Sequence, residues 1–192
     1  SKPMTLPRLS SEVWDKIKDE DWVMTGAVLD GWNRRLWDFD KTEQFPGAPL
    51  GTGTQVGISL GVALAHKGSG KLVVSIQPDG DLMFDAGSLW IAAYHKIPLL
   101  VVMYNNRAYY NDWEHQIAIA KDRGRNEEMA FLGMELANPE PHFAKLAEAM
   151  GWYGQGPIED PNDLGPAIER AIKHIKETGM PALVDAVTTY RG

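Results

Sequence analysis

Two unbroken apolar runs, LVVSIQ at 72–77 and PLLVVMY at 98–104, flank the segment AGSLWIAAYHK at 86–96. Runs that are apolar at successive positions suit strands buried on both faces, and a helical segment between them predicts a parallel pair joined by a right-handed crossover. Upstream, WVMT at 22–25 reads as another buried strand, with a short amphipathic helix before it, capped by Ser10 or Ser11 and running to Ile17. Downstream, PHFAKLAEAMG predicts a helix closed by Gly151. DPNDLGPAIERAIKHIKETG predicts a second, opened at Asp160–Asp163 and closed by Gly179, and PALVDAVTTY is a final strand. Strands alternating with helices give a doubly wound α/β fold, a mostly parallel sheet with helices on both faces.

Three segments depart from this rhythm. Residues 31–50 mix charges with Trp32, Trp37, Phe39 and Phe45 and read as irregular, aromatic-pinned structure. In GTGTQVGISLGVALAHK, Gly53, Gly57, Gly61 and Ala65 recur every four residues. One helix face is therefore nearly bare, which lets another backbone approach closely. From Arg107 to Pro141 the chain is polar and charged, a long ordered loop of the kind that covers functional sites.

Composition narrows the class. The 192 residues suit one domain, spanning 1–192, with 44% hydrophobic and 23% charged residues. A net charge of −7 argues against nucleic acid or an anionic membrane as the main partner, and no run nears the ~20 apolar residues of a membrane span. The start lacks the apolar core of a signal peptide, and the absence of Cys removes disulfides and thiolate chemistry. A soluble, cytoplasmic protein is the expectation.

Candidate chemistry lies at the ends of the two central strands. Asp79-Gly80-Asp81 follows the first and Asn105-Asn106 the second, and the crossover brings both to the carboxyl edge, where ligands of such sheets bind. Alone, Asp79-Gly80-Asp81 reads more often as a turn than as a metal site. Paired with the Asn-Asn, it reads as half of a hard, oxygen-only donor set suited to Mg²⁺ or Ca²⁺. The protein ligands are too few for a closed cage, which implies phosphate oxygens from a cofactor. Three other motifs fail. DGDLMFD puts Trp90 at the bidentate position of a calcium loop, GSGK precedes a strand instead of a helix, and GTGTQVG lacks dinucleotide spacing.

An Asp-Gly with a downstream Asn-Asn between apolar strands resembles the thiamine diphosphate signature. The surrounding segments, GTGTQVGISLGVALAHK and FAKLAEAMGW…PALVDAV, are similar to the diphosphate-binding domain of the acetolactate synthase and benzoylformate decarboxylase superfamily. The resemblance implies thiamine diphosphate and Mg²⁺, with the metal on Asp79, Asn106 and the carbonyl of Ala108. It implies cofactor contacts at Gly51, Thr52, Gly53, Asp79, Gly80, Asp81, Asn106, Ala108 and Tyr109. Pro78 stands where the motif usually begins with Gly, and Thr52, with Leu50 nearby, stands where relatives carry an apolar buttress. Residues 25–30 offer mainly backbone to a diphosphate. Tyr109, Tyr110, Asn111, Asp112, Glu114 and His115 could face substrate, with His115 the acid–base candidate.

The same resemblance implies an enzyme that breaks or forms a C–C bond beside a carbonyl, as a 2-oxo acid decarboxylase, an acetolactate synthase-like carboligase or a 2-hydroxyacyl-CoA lyase. Family enzymes carry a further pyrimidine-binding domain, whose Glu activates the cofactor. The expected partner is that missing N-terminal domain or a separate pyrimidine-binding subunit, in a hetero-oligomer or a dimer of such pairs. The alternatives are a 2-oxo acid oxidoreductase subunit, and a non-catalytic cofactor-binding or assembly module.

Overall fold

The computed structural model describes residues 2–45, 47 and 51–190. In chain order the main elements are α1 (Leu6–Ile17), β1 (Trp22–Gly26), α2 (Trp32–Leu36), α3 (Gln55–Ala65), β2 (Leu72–Pro78), α4 (Asp79–Phe84), α5 (Ser88–Tyr94) and β3 (Leu100–Asn105). They continue as α6 (Tyr110–Asp122), α7 (Phe143–Ala149), β4 (Tyr153–Ile158), α8 (Pro161–Thr178) and β5 (Ala182–Val187). The five strands form one sheet in the order β1-β2-β3-β5-β4, every pair parallel.

Parallel pairing aligns every carboxyl end on one edge, and the alternating side chains build two cores. Val74, Ile76, Leu100, Val102 and Val184 face α1 and α8, while Val73, Val101, Met103 and Leu183 face α3, α5 and α7. The chain steps outward from β1 to β2 to β3, then reverses from β4 to β5. Right-handed crossovers that step in opposite directions put their helices on opposite faces, and α8 accordingly packs opposite α3 and α5. The doubly wound expectation therefore holds.

Several local expectations change. Helix α1 starts at Leu6, with Pro7 in its first turn, and Ser10 is buried inside it, donating to Asn33 Oδ1 at 3.3 Å. The proposed cap at Ser10 or Ser11 gives way because proline presets the first helical turn. Strand β4, YGQGPI, was not anticipated, since two glycines and a proline lower strand propensity and survive only at an edge such as this. The stretch after Arg107 is no plain loop, for it contains the 13-residue α6. Residues 27–45 keep short turns pinned by aromatic packing, with Trp22, Trp37 and Phe39 at centroid spacings of 5.2–6.2 Å. Leu50 lies outside the described residues.

Candidate cofactor-binding site

The carboxyl ends of β2 and β3 carry the two halves anticipated from sequence. Pro78 is the last residue of β2 and the N-cap of α4, so Asp79, Gly80 and Asp81 form the first turn of a helix. Asn105 ends β3, and the chain then turns sharply through Arg107, whose φ of +60° is left-handed. Side chains hold that turn. Asn105 Nδ2 donates to Asp185 Oδ1 at 3.0 Å, and Asn105 Oδ1 accepts the Arg107 N–H at 3.1 Å. The Arg107 guanidinium reaches Glu140 at 2.9 Å and Glu159 at 3.3 Å.

The turn joins the two expected metal-ligand side chains. The Ala108 N–H donates to Asp79 Oδ2 at 3.2 Å and to Asn106 Oδ1 at 3.0 Å, so a carboxylate and an amide oxygen converge on one point. The polar excursion after the turn returns to pair with it: Tyr109 N–H donates to Met134 O, and Leu136 N–H to Arg107 O, both at 2.8 Å. Both bonds use groups flanking Ala108. The Ala108 carbonyl, the third expected ligand, takes part in neither.

Burial sets the electrostatics. Asp79 is 1% exposed, and desolvation pushes its carboxyl up to about 7 against the pull of neighbouring backbone N–H groups. Burial likewise raises Asp185 to about 6, only partly offset by Asn105 and Arg107, and its Oδ2 has no partner among the described residues. The Tyr109 phenol is raised by burial first and by the charge of Asp79 second. A divalent cation at Asp79 would favour the ionised form that burial disfavours.

A cavity of about 410 Å³ opens beside this turn, lined by Gly51, Thr52, Asp79, Gly80, Asn106 and Tyr109 among others. Asp81 and Ala108 also line it, while Gly53 and His115 do not. Gly80 is required by close approach, since a Cβ there would lie 2.7 Å from the Tyr109 ring. His115 sits exposed on α6, away from the cavity. The acid–base expectation for it finds no support in this chain's geometry, because the helical register after Tyr110 turns it outward. Met83 and Phe84 are 41% and 62% exposed, and Phe84 packs edge-on to Tyr109 at 5.5 Å.

Sequence reasoning missed part of the wall. Leu29 and Asp30, in the 25–30 stretch expected to offer backbone there, line the cavity with left-handed φ of 47° and 52°, a conformation that sequence reasoning did not read. Gln55 contributes a buried Oε1 with no partner among the described residues. Tyr190 stacks on Tyr110 at 4.4 Å, an aromatic wall whose two halves are far apart in sequence.

The fold and the site define an α/β domain with an oxygen-donor turn at the carboxyl edge of its sheet. Residues 29–186 match the family described as thiamine pyrophosphate enzyme, C-terminal TPP binding domain, and the chain belongs to that family. Among solved structures it is similar to a thiamine diphosphate-dependent 4-hydroxybenzoylformate decarboxylase of Rhodococcus jostii RHA1. That match has a TM-score of 0.78 and 20% identity, covering 98% of this chain and 33% of the other. The benzoylformate decarboxylase of Polynucleobacter necessarius matches with a TM-score of 0.70 and 16% identity, over 97% of this chain and 32% of that one. The chain thus spans about a third of the length of these neighbours.

Proposed function

We propose that this chain is the diphosphate- and Mg²⁺-binding component of a thiamine diphosphate enzyme that cleaves or forms a C–C bond next to a carbonyl, with a 2-oxo acid or 2-hydroxyacyl-CoA as substrate. The observation that carries the reading is the convergence of Asp79 Oδ2 and Asn106 Oδ1 beside the cavity. The donor chemistry fits the cofactor. Among the described residues no cluster of three or more His, Cys, Asp or Glu forms a metal cage. A cation held by one carboxylate and one amide therefore needs oxygens from the backbone and from a diphosphate, which is how Mg²⁺ is usually bound.

Thiamine diphosphate, when bound, supplies the electron sink for breaking a bond beside a carbonyl. The chain's own residues supply position. Asp79, Asn106 and the Ala108 carbonyl would hold the cation, and Gly80 leaves room above α4. Gly51 and Thr52 would line the pyrimidine end, and Tyr109, Tyr110 and Tyr190 would wall the substrate side and exclude water.

Partnership with a pyrimidine-binding domain or subunit is part of this reading, supported by an apolar face. Helices α3 and α5 contain no charged residue, and Trp90 and Tyr94 of α5 are 54% and 66% exposed. Gly57 and Gly61 have open space where a Cβ would stand, so the bare face expected to admit another backbone is not filled by this chain. Continuous apolar surface of this kind marks an interaction site.

Native mass spectrometry of the protein purified undenatured from its source tests the proposal. A complex holding a second pyrimidine-binding polypeptide or domain, thiamine diphosphate and Mg²⁺, with 2-oxo acid-dependent product formation, is the expected outcome. An assembly that takes up no cofactor when thiamine diphosphate and Mg²⁺ are added would sink it.

A further inference from the structure

Asp81 lies two residues beyond Asp79, yet its carboxylate serves a different segment. Its Oδ1 accepts the Gly53 N–H at 2.5 Å, and its Oδ2 accepts the Gln55 N–H at 3.2 Å and the Gln77 side-chain amide at 3.1 Å. These bonds replace a missing local cap. The N-cap of α3, Thr54, makes no capping bond and donates its hydroxyl to Gly51 O at 2.6 Å. The first N–H of α3, that of Gln55, is thus met by a carboxylate from α4, where the helix dipole favours negative charge. Helix α4 also supports the glycine segment sterically, since a Cβ on Gly53 (φ +78°) would lie 2.9 Å from Phe84 Cβ.

We infer that Asp81 is a positioning residue that fixes the Gly51–Gly53 segment relative to the metal turn, and that it binds neither the cation nor the diphosphate. The inference rests on the proposed function. One helix carries Asp79 for the cation, Asp81 for the glycine segment and Phe84 beneath that segment. A bent cofactor spanning metal turn and glycine segment meets two surfaces held at one separation. Such preorganisation is lost when the supporting contact is removed, even with every ligand intact. Charge points the same way, because a carboxylate aimed at a diphosphate would repel it, whereas here both oxygens accept N–H groups.

The test compares two probes on the assembled protein carrying Asp81→Ala or Asp81→Asn. Thiamine diphosphate with saturating Mg²⁺ engages both surfaces, while Mg²⁺-pyrophosphate engages the metal turn alone. Losing the charge-assisted bonds to Gly53 and Gln55 should weaken thiamine diphosphate at least about tenfold in Asp81→Ala and leave Mg²⁺-pyrophosphate within about twofold. Asp81→Asn, which keeps one acceptor oxygen, should fall between. Hydrogen exchange at Gly53 and Gln55 should speed up in parallel. Equal weakening of both probes, or no weakening of thiamine diphosphate, would overturn the inference. If the unaltered protein binds neither probe, the functional reading itself fails and this inference goes with it.

Discussion

The metal-free protein should lose stability as pH rises from 5 to 8, and Asp79→Asn should remove most of that loss. Asp79 titrates near 3.8 when unfolded and about 7 when folded, because burial disfavours the charge. Above pH 3.8 the unfolded chain releases this proton while the folded chain keeps it. Stability therefore falls with pH until about 7 and then levels. At about 1.4 kcal/mol for each pH unit, the loss from pH 5 upward is on the order of 3 kcal/mol for Asp79. Asp185, raised to about 6, adds about 1 kcal/mol in the same direction. The carboxylates Asp15, Asp21 and Asp160, which reach solvent, are shifted downward by Lys or backbone partners and titrate below this window.

For a chain of this size about 4 kcal/mol corresponds to roughly 10 °C in melting temperature. Asn at 79 presents an amide to backbone donors, which costs about 1–3 kcal/mol at every pH, so the slope is the observable and not the height. The assay is thermal unfolding in EDTA at half-unit steps from pH 4.5 to 8.5. Wild type should drop steeply, while Asp79→Asn should keep only the shallow decline due to Asp185. Mg²⁺ with thiamine diphosphate should restore wild type at pH 8 and leave the variant unchanged. Parallel curves for the two proteins would refute the assignment of the buried charge.

Three further substitutions separate cofactor, assembly and fold. Asn106→Ala should weaken Mg²⁺-dependent thiamine diphosphate binding at least about tenfold, with the metal-free melting temperature nearly unchanged because the side chain is only half-buried; calorimetry beside thermal unfolding reads both. Trp90→Ser should leave the fold within about 1 kcal/mol and weaken association with the proposed pyrimidine-binding partner by about 2 kcal/mol, measured by analytical ultracentrifugation. Gly26→Ala would bring a Cβ to 2.2 Å from the Ile76 carbonyl oxygen at a φ of +84°. The obstacle is backbone and cannot rotate away, so the urea midpoint should fall by the equivalent of about 3 kcal/mol or more.

Legibility from sequence followed how locally each feature is encoded. The apolar runs at 72–77 and 98–104 announced buried parallel strands, since burial on both faces leaves few polar positions. The Asp79 and Asn106 pairing was readable because one crossover fixes where both strand ends must lie. Strand β4 escaped because its pairing with β5 overrides Gly154, Gly156 and Pro157. Helix α6 escaped because it buries none of its residues and shows no clean apolar stripe. Tyr190 reaches the cavity through a chain return that no local pattern records.

Asp81 marks the sharpest boundary between composition and geometry. Its neighbours Asp79 and Gly80 made a cofactor contact the natural expectation, and spacing alone could not separate the two carboxylates. Helix geometry does. Two residues along α4 rotate a side chain by about 200°, so Asp79 points toward Ala108 while Asp81 points back toward Gly53 and Gln55. Their surroundings differ for the same reason. Asp79 is held among backbone groups at a buried turn and is raised to about 7, a charge best stabilised by a cation. Asp81 already meets the N-terminus of α3. In the proposed reading, one short helix thereby separates a carboxylate for the cation from a carboxylate that organises the wall opposite it.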